Sequence, residues 1–139
     1  QIIKITLPSN KEFFIVNTHM DAGRRNSDRS SRKKQLEQIV STINQRTTTE
    51  ALIVAGDLNL YSKNPEDVKL LENFKKELKL KDAFIEHKIS EKWAILDYVL
   101  YRQGSKVEFK IMSVGEDKSF ITEEGSLSDH PALFIEISI

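Results

Sequence analysis

Apolar and polar positions alternate with a period of two near both ends of the chain and with a helical period twice in between. Ile3, Ile5 and Leu7 alternate with Lys4 and Thr6, which predicts a half-buried strand. Pro8-Ser9-Asn10-Lys11 predicts a turn, and Phe13-Phe14-Ile15-Val16 is apolar on both faces, as a central strand is. The two strands predict a hairpin. Leu36, Ile39, Val40 and Ile43 fall at i, i+3, i+4 and i+7, predicting a helix from about Arg29 to Arg46 with Asp28 as its cap. Ala51-Leu52-Ile53-Val54-Ala55 reads as a buried strand ending at Gly56. Asn64 as cap, Pro65 at the first position and Glu66-Asp67 in the first turn predict a second helix. It runs to about Lys79 and buries Leu70, Leu71, Phe74 and Leu78. No period is visible from Lys81 to Lys92. Strands are predicted at Leu96 to Tyr101 and over Val107, Phe109 and Ile111, with Gln103-Gly104-Ser105 as the turn between them. Val114 to Ser126 reads as a polar loop, and Pro131 opens a last strand with Leu133, Ile135, Ile137 and Ile139 on one face.

The order is β-β-α-β-α-β-β-β, which predicts an α/β (α+β) fold: a mixed sheet with helices on one face. Several strands are apolar on both sides, and two helices cover only one. That predicts a further layer over the other face. With 139 residues the chain has room for one compact domain. It starts at Gln1 rather than Met, which leads to the expectation that it is part of a larger product. Hydrophobic residues make up 39% and charged residues 30%, a globular composition. No apolar run approaches the roughly 20 residues of a transmembrane helix. Without cysteine, disulfides and thiolate metal sites are excluded, but no compartment is identified. The 21 basic and 21 acidic side chains cancel, which argues against a protein that mainly coats nucleic acid.

Against this background a few polar residues stand out at strand ends. Asp57 and Asn59 follow the apolar run at Gly56, two residues apart, where ligand sites of α/β proteins tend to lie. A period of two would put them on one side. Gly, Asp and Asn are also common turn formers, and a turn is the alternative. His19 follows the second strand in the same way. Asp97 lies within Ala94-Ile95-Leu96-Asp97-Tyr98-Val99-Leu100, where a charge is costly unless paired; a histidine partner would fix the imidazole tautomer. Ser128-Asp129-His130-Pro131 sets a hard oxygen ligand beside an imidazole. The basic stretch Arg24, Arg25, Arg29, Arg32, Lys33 and Lys34 could steer a polyanion or simply be a solvated helix face. His87 reads as surface, and Trp93 as core or a wall near Asp97.

Taken together, Asn17-Thr18-His19-Met20, Gly56-Asp57-Leu58-Asn59, Leu96-Asp97-Tyr98-Val99 and Ser128-Asp129-His130-Pro131 resemble, in order and spacing, the endonuclease/exonuclease/phosphatase superfamily of metal-dependent phosphodiesterases. The resemblance covers nearly the whole chain but only the C-terminal half of the family domain, a four-layer α/β sandwich. It therefore implies that an N-terminal half, with an Asn and a metal-binding Glu, lies outside this chain. It further implies hydrolysis of a phosphate ester by in-line attack of water. By motif, Asp57 would orient or deprotonate the water or handle the leaving-group proton, Asn59 would bond the scissile phosphate, and His130, held by Asp97, would stabilise charge or act as base. His19 would donate to a phosphate oxygen or the leaving group. Asp57 and Asp129 would serve the metal, Mg²⁺ with Mn²⁺ as the alternative ion. Asn17, Arg24 and Arg25 would contact a substrate that is a nucleic acid, a phospholipid headgroup or a small phosphodiester. Two other readings stand beside this one: a non-catalytic scaffold that keeps the fold, and a helix-on-sheet binding module in which the motifs are coincidental.

Overall fold

The computed structural model describes residues 1–47, 49–86 and 96–139. The readings of His87 and Trp93 lie outside the described residues. Strand β1 (Ile2–Thr6) and strand β2 (Glu12–His19) form the expected antiparallel hairpin, with Ile3 opposite Ile15 and Ile5 opposite Phe13. Helix α1 (Asn26–Arg46) then carries the chain back, and strand β3 (Ala51–Asp57) lies parallel to β2. Helix α2 (Pro65–Leu78) begins at Asn64, whose side chain accepts the Glu66 and Asp67 N–H groups, and ends at Lys79 in the left-handed region. Both ends match the sequence, because the caps are local chemistry.

Strand β4 (Lys81–Asp82) and the single turn α3 (Ala83–Glu86) follow, and strand β5 (Asp97–Arg102) runs antiparallel to β3. The mixed sheet has the order β1-β2-β3-β5-β4. Among the described residues, two more strands, β6 (Lys110–Glu116) and β9 (Leu133–Ser138), pair only with each other. Between them lie a 3-10 turn (Lys118–Phe120) and a small hairpin of β7 (Ile121–Thr122) and β8 (Gly125–Ser126).

Alternation along the strands divides the core in two. Phe14, Val16, Leu52, Val54 and Leu100 face the helices, where Leu36, Ile43, Leu71, Phe74 and Leu78 meet them. Phe13, Ala51, Ile53 and Tyr101 face the opposite way and are covered by Val107, Phe109, Ile111, Ile135 and Ile137. The predicted further layer is thus supplied in part by the β6–β9 ribbon. Among the described residues no helix is long and apolar enough to cross a membrane.

Three of the element boundaries that differ from the sequence reading have an identifiable local setting. Helix α1 starts three residues early, because the Asp28 carboxylate accepts the Arg25 N–H (2.9 Å) from within the first turn. That bond also holds the Asp28 carboxyl below its usual range. Val107 and Phe109 are buried as expected but precede the strand; the Gln103 amide takes up both backbone groups of Phe109, at 2.8 and 2.5 Å, in place of a ladder. The strand instead continues through Val114 to Glu116, past an irregularity at Met112, into what the sequence presents as loop.

Candidate active site

Strand register brings the polar strand ends together. His19 is the last residue of β2, Asp57 the last of β3 and Asp97 the first of β5. His19 lies opposite Asp57, and Asp57 opposite Asp97, so the three form one row across adjacent strands. They share the parity of Phe13, Ile15, Ala51, Ile53, Val99 and Tyr101, which places the row on the face turned away from the helices. On each strand the apolar side chains stop one or two pleats before it.

His130 joins the row from the other layer, in the loop leading into β9. Its Nδ1 lies 2.6 Å from Asp97 Oδ2, the short distance of a charge-assisted bond. The hydrogen bond that Asp97 accepts from Nδ1 raises the His130 pKa above its usual value, aided by the charges of Asp97, Asp57 and Asp129, although burial opposes the rise. With Nδ1 committed to Asp97, Nε2 faces Asp57 Oδ2 at 3.8 Å. His19 Nε2 lies 3.6 Å from the same oxygen. The Asp57 side chain is 13% exposed and that of His19 is 74% exposed, so the carboxylate is recessed and the imidazole stands at its rim.

The other Asp57 oxygen is engaged locally, accepting the Asn59 N–H at 2.7 Å. Gly56 has φ +131°, and a Cβ there would lie 1.9 Å from the Thr18 carbonyl oxygen, so only glycine lets β3 approach β2 this closely. The strand ends at Asp57, and Asn59 adopts a left-handed φ of +49°. The period of two therefore does not extend to Asn59. Its carboxamide Nδ2 instead reaches across to the Met20 carbonyl at 3.0 Å, and the residue is buried.

Of the residues singled out in the sequence, the structure gathers His19, Asp57, Asp97 and His130, with Asn59 directly behind Asp57. Asp57, Asp97 and His130 offer ligand atoms within 4.8 Å of one another; Asp129, which is exposed, is not among them. Asp97 Oδ2 is taken by the imidazole, so the donor set offers chiefly the free oxygen of Asp57. That fits a hard cation such as Mg²⁺, which keeps several waters and needs few protein carboxylates. Asn17 is exposed, two residues before His19 and of the same parity. Arg24 is exposed with its guanidinium 4.8 Å above the Tyr61 ring, and Arg25 is exposed at the start of α1.

The basic stretch is not one solvated face. Arg32 is fully buried and Arg29 partly so, both turned onto the carboxylate of Asp67 on α2. Sequence reasoning missed this cluster. The only signal was an arginine at 32, four residues before Leu36 and so on the apolar stripe of α1.

No protein-family model matches the chain, and no curated protein matches it. Solved structures do. Zebrafish (D. rerio) TDP2 in complex with a single-strand DNA product superposes with a TM-score of 0.74 at 16% identity, over 99% of this chain and 60% of that one. The catalytic domain of human Nocturnin, with a bound sulfate anion, gives 0.70 at 23% identity, over 99% and 51%. An endonuclease/exonuclease/phosphatase protein from Beutenbergia cavernae gives 0.65 at 15% identity, over 98% and 38%. The chain therefore spans roughly two fifths to three fifths of the length of these structures. Over nearly all of its own residues, it has the fold of the endonuclease/exonuclease/phosphatase superfamily, as the four sequence motifs implied.

Proposed function

We propose that this chain supplies about half of the active site of a metal-dependent phosphoric ester hydrolase, with the reaction an in-line attack of water on phosphorus. The observation that carries the reading is the convergence of two imidazole Nε2 atoms on Asp57 Oδ2, one of those rings being fixed from behind by Asp97 at 2.6 Å. A carboxylate flanked by two potential proton donors suits a reaction in which water loses a proton while negative charge grows on phosphoryl oxygens.

In this reading Asp57 Oδ2 orients or deprotonates the water, or handles the leaving-group proton. His130, whose protonated form Asp97 favours, would turn Nε2 toward the phosphoryl oxygens and stabilise their charge. His19, exposed at the rim, donates to a phosphate oxygen or to the leaving group. Asn59 Nδ2 has a second hydrogen besides the one given to Met20, and this would meet the scissile phosphate. Asp57, with Asp129 assisting through water, would hold Mg²⁺ or Mn²⁺. Bound there, the ion would act as a Lewis acid on the phosphate. Asn17, Arg24 and Arg25 would contact the rest of the substrate. A nucleic acid is the favoured substrate, with a phospholipid headgroup or a small phosphodiester as the alternatives, and the TDP2 structure holding a single-strand DNA product supports this order.

The test is turnover by the full-length gene product on plasmid DNA, sphingomyelin and bis-p-nitrophenyl phosphate, with magnesium and after chelation. Expected are hydrolysis that depends on the added ion and its loss in Asp57→Ala. Failure on all three substrates, with Asp57→Ala behaving as the unsubstituted protein, overturns the proposal and leaves the scaffold reading. The isolated 139-residue chain should turn over poorly. Robust activity from it would contradict the half-site assignment.

A further inference from the structure

His19 and Asp57 each end their strand, so the sheet's hydrogen-bond ladder supports them from one side only. What holds them from the other side is the contact between the loops that leave β2 and β3. The inner tie is short. Met20 N–H donates to the Asp57 carbonyl at 2.9 Å, and Asn59 Nδ2 donates back to the Met20 carbonyl at 3.0 Å.

The outer tie is ionic and buried. One Arg32 terminal nitrogen donates to the carbonyls of Asp21 and Gly23, at 3.0 and 2.9 Å, clamping the loop that leaves β2. The other meets Asp67 Oδ1 at 3.5 Å. Asp67 Oδ1 also accepts from Arg29 Nε at 3.0 Å, and Oδ2 accepts the Tyr61 N–H at 3.3 Å, reaching the loop that leaves β3. Arg32 and Asp67 are both essentially inaccessible, and Arg32 Nε is buried without a hydrogen-bond partner.

Buried ion pairs are a poor source of stability, since apolar side chains of the same size often do as well. An arginine on the apolar stripe of α1 therefore calls for another explanation, and its partners supply one. Arg32 grips one strand-end loop, and Asp67 grips the other. We propose that Arg32 and Asp67 are positioning residues that fix the β2 and β3 exit loops against each other and so set His19 against Asp57. The proposal deepens the hydrolytic reading of the same site and rests on it only for its effect on turnover.

The test uses Arg32→Lys, which keeps the charge but not the planar fork, and Asp67→Asn, which keeps the shape but not the charge. Both are made in the full-length product, whose folding is checked by circular dichroism and whose histidines are carbon-13 labelled. Expected in each folded variant is a shift of the His19 ring resonances, while the His130 Nδ1–H signal, held by Asp97, stays in place. With bis-p-nitrophenyl phosphate and magnesium, kcat should fall by about 10-fold or more at nearly constant KM, as misplaced groups lose rate rather than binding. A fold support without a positioning role would move both histidines or neither. Unmoved His19 resonances in the folded variants overturn the proposal. So does failure of both variants to fold, which would make the cluster a folding determinant. If Asp57→Ala leaves turnover unchanged, the hydrolytic reading fails, and the His19 resonances still decide the positioning proposal.

Discussion

Replacing Asp97 by Asn keeps the side-chain shape and removes the charge that faces His130 Nδ1 at 2.6 Å. A hydrogen bond to a charged group contributes about 1.5–3 kcal/mol when shielded, and an exposed pair about 0.2–1 kcal/mol. The His130 side chain is 35% exposed and that of Asp97 28%, so the pair lies between the two limits, at about 1 kcal/mol. For a domain of this size that is a loss of about 4 °C in Tm. The loss must depend on pH in one direction. The folded-state pKa of His130 is raised, chiefly by Asp97. The stabilisation is therefore fully present below the unfolded histidine value, near pH 6.5, and fades as pH rises through the higher folded value. Thermal melts of both proteins at about pH 5.5 should show the full gap, which should close well above the raised folded value. Proton NMR should show the His130 titration midpoint falling in Asp97→Asn. A gap of equal size at both pH values, or an unmoved midpoint, refutes the assignment of the charge pair.

Four further substitutions, at three positions, test how the scaffold holds the site. Arg102→Met removes a buried guanidinium that donates to the carbonyls of Thr47, Glu50 and Leu78, so urea unfolding should show a loss of about 3 kcal/mol at nearly unchanged slope. Gly56→Ala forces a Cβ to within 1.9 Å of the Thr18 carbonyl oxygen at φ +131°, and should cost upwards of about 3 kcal/mol by chemical denaturation. Asn59→Ala should lose about 1 kcal/mol for the bond to Met20 and about 1 kcal/mol more for the left-handed φ, while Asn59→Gly should recover only the second part. Equal losses in the two Asn59 variants would contradict that division.

How much of this was legible beforehand depends on the range of the interaction. The α2 boundaries follow from Asn64, Pro65 and the residues around Lys79, all within one turn of the helix ends they set. The hairpin of β1 and β2 follows from alternation and one turn. Asp97 could be read as paired with a histidine because a charge between Leu96 and Tyr98 needs a partner, and the partner is His130. Asn59 could not be placed from a period of two, because that period belongs to strands and the strand stops at Asp57. Nor could Arg32. Its burial is decided by Asp67, 35 residues away, and by two carbonyls of a loop whose path no local pattern reveals. The pairing of β6 with β9, apart from the main sheet among the described residues, was likewise invisible, since alternation gives a strand's faces but not its neighbours.

The site's location follows from the same alternation. Along β2, β3 and β5 the side chains that face away from the helices are apolar at the levels Phe13–Ala51 and Ile15–Ile53–Tyr101. At the next level Asn17 stands beside Ala55 and Val99, and at the last one His19, Asp57 and Asp97 stand side by side. The row is polar where the cover given by Ile111, Ile135 and Ile137 runs out. Recession of Asp57 is thus an edge effect of a hydrophobic layer, and the ribbon that makes the layer also delivers His130 through the loop closed by the Asp117 N–H to Ala132 carbonyl bond at 2.7 Å. Loosening the β6–β9 ribbon would therefore disturb the charge pair and the shielding of Asp57 together. A polar group on the helix-facing side of the same strands would have neither the histidine nor the water, since that side is filled by Leu36, Ile43, Phe74 and Leu78.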